Sequence, residues 1–168
     1  MSYNFSRGVQ FIGDISGSDD SDRNTGIDFE EDHIALVTGG STSFVLSGSS
    51  VGIGTDHPTS KLHVSGTFSL PITVINGVRN AIGSAHHTVL LNADSGNCAA
   101  QLPAASGIAG RIYVFKRIDG SHNHEKVQSN GSEEIEGSTN DLDVNNQYES
   151  FTLQCDGTRL WIISDNHV

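Results

Sequence analysis

Few residues in this chain invite a chemical reading. His122-Asn123-His124 sets two imidazoles one residue apart. On a strand both would leave the same face, and imidazole suits iron, nickel or zinc. The flanking Asp119-Gly120-Ser121 equally give this stretch the composition of an exposed hairpin loop. Upstream, Asp20, Asp22 and Asn24 alternate as oxygen donors, with Asp28 and Glu31 following. That is nearly the ligand spacing of a calcium loop, but Gly26 falls one position late for the sharp turn and no helical pattern flanks it. A solvated polar linker is the competing reading. Glu133, Glu134, Glu136, Asp141 and Asp143 could supply the paired carboxylates of a glycosidase, yet they lie in turn-rich sequence without aromatics to grip a sugar. No nucleophile elbow or Cys/His pair is present, so an enzyme is not expected and no cofactor is required. His86-His87 has no carboxylate or Cys at ligand spacing and is expected at the surface. Cys98 and Cys155, the only two cysteines, read as buried free thiols.

Binding is the remaining chemistry, and it is carried by loops. The stretches 119–125, 129–133, 138–140 and 145–148 are rich in Asn, Ser, His and acids, suited to hydrogen-bonding a sugar or a protein surface. The candidate contact residues are His122, Asn123, His124, Asn130, Asn140, Asn146 and Tyr148. Trp161 alternates within a long apolar strand and is expected in a core or an interface between copies.

The whole chain of 168 residues carries 9 Lys+Arg against 20 Asp+Glu, a formal net charge of −11. Such a balance argues against nucleic acid, whose capture needs basic patches. No apolar run approaches the roughly 20 residues of a membrane helix, and Met1-Ser2-Tyr3-Asn4-Phe5 does not open a secretion signal. Neither nucleic acid nor membrane insertion is therefore expected.

Helical periodicity is nearly absent. What recurs is a short alternating run closed by Gly, Ser, Asn or Asp, the pattern of an all-β chain. The early runs are Ile27-Asp28-Phe29, 33–37, 43–46, 51–54 and 61–64, separated by Gly39-Gly40, Gly48 and Asp56-His57-Pro58. Beyond Pro71 the runs are longer: 72–75, 88–91, 111–116, 150–155 and 160–163, with weaker ones at 99–102, 125–128, 134–136 and 141–144. Nine strands in that half suggest an antiparallel, jelly-roll-like β-sandwich. Asp156-Gly157 marks a hairpin between the last two. The first 66 residues own too few large side chains to offset a chain entropy of about 1–2 kcal/mol per residue. Other copies of the chain are the economical source of burial, so an elongated homotrimer is expected.

The segment Val51-Gly52-Ile53-Gly54-Thr55-Asp56-His57-Pro58-Thr59-Ser60-Lys61-Leu62-His63-Val64-Ser65-Gly66 resembles a "VGIGT-x-x-P-x-x-KLHVSG" stretch of bacteriophage tail fibres. Gly26-Ile27-Asp28-Phe29, Asp32-His33-Ile34-Ala35-Leu36 and Thr38-Gly39-Gly40 resemble the shaft repeats that precede it. Val89-Leu90-Leu91-Asn92-Ala93, Gln101-Leu102-Pro103-Ala104-Ala105, the stretch 109–116 and Gly157-Thr158-Arg159-Leu160-Trp161 are similar to a β-sandwich module of such fibres. The resemblance implies an N-terminal anchoring segment (1–22), a trimeric β-shaft (23–66) and a β-sandwich head (67–168). It also implies a virion protein made in the host cytoplasm. Residues 1–22 would hold another tail or baseplate protein, and the head a host-surface glycan or outer-membrane protein. Three copies around one axis would gather six imidazoles from His122 and His124, an octahedral transition-metal arrangement known in some fibres. The self-cleaving chaperone on which many such fibres end has no counterpart in this sequence. A tail connector without receptor contact and a small glycan-degrading tailspike are the alternative readings.

Overall fold

The computed structural model describes residues 15–16, 19–22 and 24–166, and most of the expected anchoring segment, 1–22, lies outside the described residues. Every regular element among the described residues is a strand, so the chain is all-β. It divides into two compact units, Met1–Ser69 and Leu70–Val168.

The first unit is one six-stranded sheet in chain order: β1 (Ile15–Ser16), β2 (Gly26–Glu30), β3 (His33–Thr38), β4 (Ser41–Ser47), β5 (Ser50–Ile53) and β6 (Leu62–Val64). Neighbours are antiparallel except β5 and β6. The β3–β4 hairpin turns through Gly39 and Gly40 at φ 58° and 74°. Two successive left-handed residues match the right-handed twist of the strands, which is why glycine occupies both.

Register then decides the two faces, because side chains alternate with a period of two. One row runs Ile15–Ile27–Leu36–Phe44–Ile53–Val64 and the next Phe29–Ile34–Leu46–Val51–Leu62. Every strand thus sends large apolar side chains to one face, with Thr38 and Ser41 at its hairpin end, and that face is open: Leu36 is 40% and Leu62 59% exposed. The opposite face is covered locally. There the β5–β6 connection brings Thr55 over Gly52, where an added Cβ would stand 2.6 Å from Val45 Cγ1 and closer still to the Thr55 carbonyl. Ala35 and Val45 are the buried apolar side chains among the described residues of this unit.

The second unit holds β7 (Ile72–Ile75), β8 (Asn80–Ala81), β9 (Thr88–Leu91), β10 (Cys98–Gln101), β11 (Ile112–Arg117), β12 (Glu125–Gln128), β13 (Leu142–Asp143), β14 (Ser150–Cys155) and β15 (Leu160–Asn166). They form a five-stranded sheet, β15-β14-β11-β9-β7, and a four-stranded sheet, β13-β12-β10-β8. Alternate residues of both sheets, including Val89, Leu91, Tyr113, Phe115, Phe151 and Leu153 from one and Cys98, Ala100 and Val127 from the other, join in a single buried core. Phe115 packs against Phe151 with ring centroids 5.6 Å apart.

The expected antiparallel, jelly-roll-like arrangement is not what forms. β7/β9, β9/β11, β8/β10 and β10/β12 are all parallel pairs. The chain crosses to the other sheet after each strand from β7 to β11, so it re-enters a given sheet always running the same way. Only the tail departs, with β13 turning back on β12 and the β14–β15 hairpin added beside β11. Two strand limits also differ. Residues 134–136 contribute only an isolated bridge at Ile135, whereas Asn80–Ala81, outside the expected runs, is a strand.

Candidate functional site

The loops expected to meet a partner are tied together from beneath by Arg117. This side chain points into the interior from β11 and is 2% exposed. Its Nε donates to the Asp119 carbonyl at 3.2 Å and its Nη1 to the Val144 and Asn145 carbonyls at 3.0 and 3.3 Å. Its Nη2 donates to the Ser121 and Asn123 carbonyls at 2.5 and 3.3 Å. Asp119, also buried, accepts the Ala93 and Ser121 amides at 2.8 and 2.9 Å. Glu149 accepts the Asn145 and Asn146 amides at 2.7 and 2.9 Å. One guanidinium and two carboxylates thus hold the loops after β9, β11 and β13, and their partners are chiefly backbone groups that loops leave unpaired.

Glu125 is the discordant member. Its carboxyl is fully buried and neither oxygen finds a hydrogen-bond partner; Arg117 Nε stands 3.9 Å from Oε2. Burial first, then the neighbouring Asp119, push its pKa up to about 8. For Asp119 burial works upward too, but Glu125 and the donors from Ala93 and Ser121 outweigh it and hold that carboxyl well below the usual range.

The candidate contact residues are spread over this framework. His122 and His124 are both exposed on the β11–β12 connection rather than on a strand. Among the described residues no group of three His, Cys, Asp or Glu side chains is placed to hold a metal ion. Asn123 is half-buried and donates through Nδ2 to the Ala93 carbonyl at 2.7 Å, so its side chain serves the loop itself. Asn130, Asn140 and Asn146 are exposed, and so is Tyr148, at φ 69°, with Lys116 Nζ 5.7 Å from its ring centre. Trp161 does not lie in the core: it is 39% exposed, and its Nε1 donates to Asp156 at 2.7 Å. His86 and His87, expected at the surface, are half-buried; Nδ1 of His86 accepts the Gly83 amide at 3.2 Å. Cys98 and Cys155 are buried free thiols.

The acids considered for catalysis and calcium are largely occupied. Glu133 accepts the Ala105 amide at 2.9 Å, Glu134 meets Arg159 at 2.6 Å, and Glu136 accepts the Ile162 amide at 2.8 Å. Asp20 accepts the Thr25 amide at 2.7 Å and Asp22 the Asn24 side-chain amide at 2.6 Å.

A surface that sequence reasoning missed lies on the outer side of the four-stranded sheet. There the parallel register sets Lys126 beside Ala99 and Gln128 beside Gln101, with Ala81 following in the second row. These residues, with Arg79, Asn97 and His124 at the margins, line an open groove of about 800 Å³, a volume within the usual range of ligand sites. Several of its side chains are fixed. Gln101 Nε2 donates to the Ser129 carbonyl at 2.6 Å, Gln128 Nε2 to Asp141 at 3.1 Å, and Lys126 Nζ meets Asp141 at 2.7 Å. Lys126 draws the Asp141 pKa down, burial opposing and Gln128 assisting. The only sequence signal was the polar alternation Lys126, Gln128; the stacking with β10 and β8 could not be read from it.

The five-stranded sheet has an outer side that mixes apolar and polar side chains. Its rows read Ile72–Thr88–Val114–Thr152–Ser164 and Val74–Leu90–Lys116–Ser150–Asn166, with Trp161 across from Gln154. Ile72 is 66% exposed, and Val74 and Ile163 more than half. No protein-family model matches this chain, and no curated protein matches it.

Proposed function

We propose that this chain is a phage virion tail-fibre protein, a homotrimer that acts by binding and not by catalysis. Its first unit would serve as the shaft and its second as a head that attaches the virion to a host-cell surface. One observation carries the reading: the open face of large apolar side chains to which all six strands of the first unit contribute. Isolated soluble chains rarely expose a continuous apolar patch of more than a few hundred Å², and each Å² removed from water contributes about 25 cal/mol. A second copy is a natural cover, because a face of Ile, Leu, Val and Phe is complementary to itself and requires no charge pairing. Three such faces around a common axis would also give each strand layer a ring of three apolar side chains. Residues 1–22 would meet another tail or baseplate protein.

Two measurements test the reading. Light scattering of the purified full-length protein is expected to give the mass of three chains; one chain or two would overturn the assembly. The protein is also expected to label intact host cells and to block adsorption of the virus. A trimer that labels no cells would instead be a connector within the tail.

A further inference from the structure

We propose that the groove across the outer side of the four-stranded sheet binds a saccharide carrying a carboxylate, a uronic acid unit of a surface polysaccharide. The proposal deepens the attachment reading and rests on it. Copies of the chain would cover the apolar face of the first unit, and the outer side of the four-stranded sheet stays with solvent, once per chain. Its groove presents amides and cations beside small apolar side chains, and several of these groups are already held in place. Because Gln101 and Gln128 spend their amide N–H on Ser129 and Asp141, their side-chain carbonyls stay available as acceptors for sugar hydroxyls. Ala81 and Ala99 form a floor without projecting side chains, so the C–H face of a pyranose ring can approach closely.

Charge selects the class of sugar. No carboxylate lines the groove, while Arg79 does, and no ion pair holds Arg79 among the described residues. Lys126 is neutralised by Asp141. One uncommitted guanidinium suits one carboxylate, which it can grip through two parallel N–H bonds. A phosphate monoester would bring nearly twice the charge into a chain of net charge −11.

Calorimetric titration of the full-length protein with trimers of galacturonate, glucuronate and mannuronate tests this, with the neutral galactose and glucose trimers as comparison. At least one uronate should bind at least about tenfold more tightly than its neutral counterpart. Arg79→Ala should weaken it by about tenfold or more, the scale of one lost charge-assisted bond. Its mass and melting temperature should stay unchanged. No heat with any uronate, equal affinity for acid and neutral trimers, or full affinity in Arg79→Ala would each overturn the proposal. Cell labelling separates it from the attachment reading. If the parent and Arg79→Ala label cells equally, the groove is wrong and attachment stands. If the parent binds a uronate but labels no cells, the groove stands and attachment is wrong.

Discussion

Two single residues expose the constraints most sharply. Gly52 has no left-handed backbone to justify it; what excludes a side chain is the Thr55 carbonyl and Val45 folded against it. Gly52→Ala is therefore expected to lower stability by about 1–3 kcal/mol, the usual cost of overpacking a tight site, read as a fall in melting temperature. Glu125 is constrained by charge instead of shape. Its pKa rises from an ordinary 4.5 to about 8 on folding, so between those values the folded chain holds a proton that the unfolded chain has released. Linkage then requires stability to fall as pH rises through that window. Asp119 acts oppositely: its lowered pKa supports the fold above the ordinary carboxylate range, and that support is lost on acidification. Thermal melts should show a midpoint declining from pH 5 towards pH 8, and Glu125→Gln should flatten that decline. An unchanged slope in the variant would show that Glu125 does not carry the proton.

At the level of elements, the all-β character was legible because each strand declares itself by alternation, and Gly39-Gly40 or Asp156-Gly157 declare the turns. The greasy side of the first sheet was legible in the same way. Ile27 and Phe29, Ile34 and Leu36, Phe44 and Leu46 all stand two apart, and the register simply lines them up. Strand direction was not legible. A run such as Thr88-Val89-Leu90-Leu91 reads identically whether its neighbour is parallel or antiparallel, and only the crossing path between the sheets decides. The groove was hidden for that reason: Ala81, Gln101 and Gln128 are 20 and 27 residues apart in sequence and meet only through parallel stacking. Nothing local to Arg117 signals that five carbonyls from two loops will converge on it. The exposed face itself offers a test. Ile34→Asp with Leu46→Asp puts two charges on that face, so the second unit, which has its own core, should stay folded while the particle mass drops from three chains to one. Full trimer mass in that double variant would exclude the face as the contact.

For the whole molecule, the two units differ in what sustains them. The second encloses its own core of aromatic and aliphatic side chains, whereas the first buries little beyond Ala35 and Val45. Heating the full-length protein should therefore give two transitions. The one belonging to the first unit should shift upward with protein concentration, since association by mass action stabilises only what it involves; the other should not move. Coincident, concentration-independent melting would contradict this division. The winding of the second unit has one more result. β7 and β8 stand at the same margin of their two sheets, with their outer hydrogen-bonding edges parallel to everything behind them, while β13 and the β14–β15 hairpin seal the far margin. One end of the coil is thus a template and the other a lid. Duplicating a single lap of some twenty residues at the template end would lengthen the domain and repeat the groove without disturbing a bond already made, a route by which such a protein could gain binding surface in increments.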